Sequence, residues 1–175
     1  MWWCWQGRKS DEATGELTNV SVNMPLEVFV NRLLCALLGG LLIGIERQLR
    51  RRNAGLSVNT LVSVGACVYI LISEGVIYTA VQSGGPVNND NLRVLSQVVC
   101  GIGFLGAGVI MKDGFTVHGL NSAATLWCSA AVGCLCGYGM WRQAAIAVGA
   151  VVAVNWILKN IEQHIERKNP GEGPQ

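Results

Sequence analysis

Long apolar runs, separated by short polar and charged segments, dominate this chain. They predict five helices, at about residues 25–45, 56–73, 94–111, 120–137 and 143–158. These runs approach the ~20 apolar residues with which a helix crosses a bilayer. In lipid the backbone must satisfy its own hydrogen bonds, so an uncharged crossing segment is helical. The pattern therefore predicts an all-α, polytopic integral membrane protein with five transmembrane helices. We expect residues 25–160 to form this domain, between an extracytoplasmic tail over 1–24 and a short cytoplasmic tail over 161–175.

Glycine is concentrated in the third run. Small residues let neighbouring transmembrane helices approach closely, so we expect the third helix, with the small-residue-rich fourth, to form the packed centre. In the first run, a four-residue glycine spacing gives a second close-packing face. The predicted helix-packing residues are Gly40, Gly44, Gly101, Gly103, Gly106 and Gly108. The third run also matches G-x-G-x-x-G, but its apolar flanks disfavour a dinucleotide-binding site in a soluble βαβ unit.

Composition and charge placement agree with a membrane protein. Of 175 residues, 51% are apolar and 14% are charged, against about 25% charged in soluble domains. Basic residues concentrate after the first run, at Lys112 and in the C-terminal tail. The positive-inside rule then places the C-terminus in the cytoplasm and the N-terminus outside. The cluster Arg50–Arg52 is also suited to binding anionic lipid headgroups.

The residues that usually carry catalysis or bind metals form no recognisable constellation. The seven cysteines are an odd number and mostly lie in or beside apolar runs, as expected of small packing residues. Cys134-x-Cys136 lacks the two-residue spacer and partner pair of a zinc site. His118 and His164 stand far in the sequence from paired carboxylates or thiols. We therefore expect no enzyme, no metal, no cofactor and no nucleic-acid partner.

Several polar residues fall near membrane depth and leave an alternative open. Arg32, Glu46, Arg47, Glu74 and Asn121 could line the path of a small ion transporter or channel. Against this, no run has an acidic residue at its centre, and the broken-helix pairs of transporters are absent from the pattern. Arg32 must snorkel or pair internally to tolerate its position. Asn121 is placed to cap the fourth helix.

A series of motifs makes the chain similar to a known family. They are Gly44-Ile45-Glu46-Arg47-Gln48, Ala54-Gly55-Leu56, the glycine-rich segment 101–111, Gly119-Leu120-Asn121 and the segment 123–131. In this order they cover roughly residues 32–158 and resemble the MgtC/SapB family of bacterial inner-membrane proteins. The Trp127-Cys128 pair is closest to the MgtC branch.

The resemblance implies a multi-pass inner-membrane virulence factor that supports survival in macrophages and growth in low magnesium without transporting magnesium. It implies binding and inhibition of the membrane sector of the F1Fo ATP synthase. Membrane lipids, small regulatory membrane peptides and a second copy of the chain are further possible partners. The candidate partner-binding residues are Glu46, Arg47, Asn59, Asn121 and Cys128.

The chain departs from the family pattern at two places. Ser57-Val58 stands where the family usually has Arg-Thr before the asparagine, so the role of that arginine does not carry over. Many relatives bear an ACT-like domain after the last span, whereas this sequence stops at Gln175, and we expect that domain to be missing. The leading hypothesis is a protein that acts by binding another membrane complex. A structural oligomer with no activity of its own is the remaining alternative.

Overall fold

A computed structural model describes residues 24–50, 54–82 and 91–168. These residues form five helices and one β-hairpin. The helices are α1 (Leu26–Leu49), α2 (Leu56–Gln82), α3 (Asn91–Val109), α4 (Leu120–Gly137) and α5 (Trp141–Lys168), and the strands are β1 (Met111–Asp113) and β2 (Thr116–His118). The expectations for the N-terminal tail, for Arg51 and Arg52, and for the end of the C-terminal tail lie outside the described residues.

The predicted all-α polytopic architecture is confirmed. Helices α1, α2, α3 and α4 are long and apolar enough to cross a bilayer, and α5 contributes a shorter apolar stretch, Trp141–Ile157. The observed helices begin within three residues of the five predicted runs, but α2 and α5 continue about ten residues past the predicted ends. The loop expected at 112–119 contains a small antiparallel hairpin, in which Met111 pairs with His118 and Asp113 with Thr116. Gly114 turns the hairpin at φ 58°, a backbone conformation that favours glycine.

Helix α4 occupies the centre of the bundle and contacts all four other helices. Of the residues in its membrane-spanning stretch, 56% are buried, against 11% in that of α3. The prediction that α3 shares the packed centre is therefore wrong within this chain. A β-carbon added at Gly101, Gly103 or Gly108 would have no neighbouring atom within 4 Å, and one at Gly106 would lie 3.6 Å from Ala123. Glycine content indicates that a helix can be approached closely, but not which of its sides the chain covers.

Two glycines of α1 bring its backbone close to that of α2. A β-carbon added at Gly40 would lie 2.8 Å from the Cα of Thr60, and one at Gly44 would lie 2.7 Å from the Cα of Leu56. These distances leave no room for a side chain, so the two backbones touch along the face that the Gly40–Gly44 spacing predicts. The contact brings the C-terminal end of α1 against the N-terminal end of α2.

The apolar core forms on both sides of the α2–α4 pair. One cluster joins α1, α2, α4 and α5 and includes Ile43, Cys67 and Val132. The other joins α2, α3 and α4 and includes Ile70, Ile102 and Leu126. The two clusters fix α4 against α2, and α4 carries the hydroxyl side chains of the site described next.

Candidate functional site

The most unusual group in the bundle is the guanidinium of Arg47, in the last turn of α1. Only 2% of Arg47 is exposed. Its Nε donates to the carbonyl of Ala54 at 3.3 Å, and its Nη1 donates to Thr125 Oγ1 at 3.3 Å. Its Nη2 donates to Ser122 Oγ. A guanidinium stays protonated and carries five N–H donors. Here it ties the end of α1 to the α1–α2 connection and to α4.

Asn59, in the first turn of α2, is completely buried beside the same connection. Its Nδ2 donates to the carbonyls of Ala54 at 3.0 Å and Gly55 at 2.8 Å. Its Oδ1 accepts from Ser129 Oγ at 2.8 Å. Both ends of the amide are therefore hydrogen-bonded, as a buried polar group requires. Since the Ala54 carbonyl also accepts from Arg47, the two side chains are joined through one oxygen.

We call Arg47, Asn59, Ser122, Thr125 and Ser129 the polar network. Its three α4 hydroxyls recur at intervals of three and four residues, which places them on one face of the helix. All five side chains are buried. Polar groups inside a bilayer have no water to bind, so they must form hydrogen bonds with one another. The network consequently fixes the relative positions of α1, α2 and α4 at one end of the bundle.

Glu46 belongs to a second cluster on another side of α1, facing α5. It forms an ion pair with Arg50 one turn later. Asn155 Nδ2 donates to Glu46 Oε2 at 3.3 Å, and Arg50 Nη1 donates to the Asn155 carbonyl at 3.2 Å. This arrangement attaches α5 to the same end of α1. The adjacent residues Glu46 and Arg47 thus serve different helix contacts.

A further ion pair lies toward the other end of α1. Arg32 pairs with Glu74 of α2, and its Nη1 donates to the carbonyl of Gly137, the last residue of α4, at 2.7 Å. Arg32 therefore tolerates its position by pairing internally and not by snorkelling. Each end of the apolar bundle is therefore held by a different arginine of α1, Arg47 at one end and Arg32 at the other.

The candidate partner-binding residues do not form one site. Arg47 and Asn59 come together, but neither reaches the surface of the chain. Cys128 is half-buried and Asn121 is exposed. The cap prediction for Asn121 is wrong, because α4 begins at Leu120 and its N-cap is Gly119, without a side-chain cap hydrogen bond. Gly119 has φ 90° and lies close to the end of α3, so the chain turns there before Asn121.

Sequence reasoning missed the partners of Arg47 and Asn59. The sequence pattern singles out none of Ser122, Thr125 and Ser129 as a polar partner. The available signal was their spacing of three and four residues, which puts all three hydroxyl side chains on one face of α4. What they bind depends on how α4 is turned toward the α1–α2 connection, which no local pattern specifies.

Fold and site together define a polytopic helical membrane protein whose helices are fixed by buried polar contacts at the bundle ends. The model of the MgtC family matches residues 33–164, so the chain belongs to this family. It is 53% identical over 130 residues to Protein MgtC of Brucella abortus, covering 74% of this chain and 50% of that protein. It is 48% identical over 139 residues to Protein MgtC of Salmonella typhimurium, covering 79% of this chain and 56% of that protein.

The chain spans about half the length of the curated relatives it matches. No solved structure matches it. Family membership and membrane-spanning helices are established by these comparisons together with the fold.

Proposed function

We propose that this chain is a non-enzymatic, multi-pass protein of the bacterial inner membrane that acts by binding another membrane protein. Its partner is the membrane sector of the F1Fo ATP synthase, which it inhibits. Through this inhibition it supports virulence, survival in macrophages and growth in low magnesium. The N-terminus is periplasmic and the C-terminus cytoplasmic. The activity and the partner extend the family resemblance to this chain, and the orientation rests on the placement of the basic residues.

The observation that carries the binding proposal is the uncovered face of α3. Ser96, Cys100, Gly103 and Ala107 are all small and all exposed. They recur at intervals of three and four residues, so they share one side of the helix. Without a hydrophobic driving force in lipid, helices associate where small residues allow close backbone contact. We call these four residues the α3 small-residue face, and it suits a transmembrane helix of a partner.

Asn121 supplies a polar group near the end of α3. It lies in the first turn of α4, and its exposed side chain is held on a backbone fixed by the polar network. Its own carbonyl accepts from Thr125 Oγ1 at 2.8 Å, and Thr125 also binds Arg47. Arg47 and Asn59 therefore act indirectly, by fixing the start of α4. Asn121 contacts the partner directly.

Crosslinking in membranes, followed by purification and mass spectrometry, tests the proposal. We expect subunits of the ATP synthase membrane sector to co-purify with the wild type and to be lost with Gly103→Leu. Gly108→Leu is the matched control, because it adds the same side chain to an equally open position of α3 outside the small-residue face. Equal recovery with both variants would contradict the use of this face. Protein-dependent, saturable cation uptake into liposomes would favour the transporter alternative instead.

A further inference from the structure

A cleft of about 780 Å³ opens between α2 and α3, separate from the polar network and from the α3 small-residue face. Its apolar walls include Leu61, Val62 and Ala66 of α2 and Val98, Ile102 and Leu105 of α3. Gly65 and Gly101 line opposite walls, and a β-carbon added to either would have no neighbour within 4 Å. The chain itself leaves this space open.

The polar residues of the cleft are gathered toward one end. On α3, Arg93 and Gln97 lie near the N-terminus, whereas Leu105 is the last lining residue. Tyr69 is the last cleft-lining residue along α2. Because consecutive spanning helices run in opposite directions, it is the α2 lining residue nearest to the Arg93 end of the cleft. Arg93 is the second residue of the spanning segment Leu92–Val109, which puts it at headgroup depth. The cleft is therefore amphipathic along its length.

The length of the cleft identifies the kind of molecule that fits it. From Arg93 to Leu105 a helix advances ~18 Å at ~1.5 Å per residue. One leaflet of the hydrocarbon core is ~15 Å thick, half of the whole core. A transmembrane helix would need an apolar groove about twice as long. A single acyl chain, attached to a phosphate at the interface, matches both the length and the polarity.

We propose that the α2–α3 cleft binds one anionic phospholipid, with its phosphate at Arg93 and an acyl chain between Gly65 and Gly101. An arginine fork suits a phosphate oxygen pair, and the small residues make room for the chain. The lipid sits in the leaflet at the N-terminal end of α3. This inference does not rest on the proposed ATP synthase partner.

Native mass spectrometry of the purified chain, titrated with phosphatidylglycerol or phosphatidylcholine, tests the site. We expect the wild type to retain one phosphatidylglycerol per chain. Gly65→Leu and Gly101→Leu, which fill the cleft from opposite walls, should each weaken retention about tenfold or more. Gly103→Leu is the matched control and should bind as the wild type does. Arg93→Gln should remove the preference for phosphatidylglycerol over phosphatidylcholine.

Equal retention by Gly101→Leu and Gly103→Leu would overturn the proposal. A wild-type dimer that Gly101→Leu converts to a monomer without a change in bound lipid would assign the cleft to a second copy instead. A photoactivatable phosphatidylglycerol, with its diazirine on the acyl chain, tests the wild type directly and does not depend on the folding of any variant. It should label the cleft-lining peptides of α2 and α3 above those of α5, and even labelling of the three helices would also contradict the site.

Discussion

At the scale of single residues, the cost of burying Arg47 determines the local structure. A charge at membrane depth is tolerated only where neighbouring groups replace its hydration. The sequence places Arg47 near membrane depth and offers it as a partner-binding residue, but the oxygens of Ala54, Ser122 and Thr125 that bind it are revealed only by the fold. Arg32 follows the same logic at the other end of the bundle, where Glu74 is its partner.

Arg47→Ala should destabilise the bundle by roughly 2–4 kcal/mol, because it leaves several buried acceptors without their donor. Arg142→Ala is the control, since Arg142 is exposed and stacks on Trp141 at 4.9 Å, an interaction with an expected effect below ~1 kcal/mol. Thermal unfolding in detergent measures both. Equal melting temperatures for the two variants would show that the network contributes nothing special to stability.

Asn121→Ala should change stability by no more than ~0.5 kcal/mol, the usual range for an exposed substitution. The side chain is exposed and does not cap α4, so its replacement removes no capping hydrogen bond. Membrane insertion and the melting temperature, measured together, test this expectation. A large loss of folded protein would mean that Asn121 is a structural residue, and its assignment to partner contact would be withdrawn.

At the scale of helices, close packing and exposure divide the glycines into two groups. Gly40 and Gly44 of α1 touch α2, whereas Gly101, Gly103 and Gly108 of α3 face open space. The sequence predicts the helices themselves well, because apolar length and charge placement specify a membrane span directly. Its small residues also predict the central position of α4, but the sequence does not predict the exposure of α3, because burial depends on which helices surround a given face.

Gly44→Ala should cost roughly 1–3 kcal/mol through overpacking. The new methyl group would lie 2.7 Å from the Cα of Leu56, and a backbone atom cannot move aside as a flexible side chain does. Gly103→Ala, the same substitution in open space, should be neutral or stabilising because alanine has a higher helix propensity than glycine. Thermal unfolding distinguishes the two, and a Gly44→Ala variant as stable as Gly103→Ala would contradict the contact between α1 and α2.

At the scale of the whole molecule, orientation in the membrane decides which end of the bundle meets which compartment. Basic residues after α1 favour the cytoplasm for that end. Reporter fusions at Gln48, Gly85, Gly114, Tyr138 and the C-terminus should therefore alternate in sidedness, beginning with a cytoplasmic signal at Gln48. Gly85 lies outside the described residues, and a cytoplasmic signal there would exclude the topology.

The central claim is that this chain inhibits the ATP synthase by contact through α3 and Asn121. ATP-driven proton pumping in inverted membrane vesicles tests it most directly. The wild type should reduce pumping, whereas Gly103→Leu and Asn121→Ala, inserted to the same level, should restore it and Gly108→Leu should inhibit like the wild type. Pumping that is unaffected by the wild type would contradict the partner, and inhibition by all three variants would contradict the contact surface.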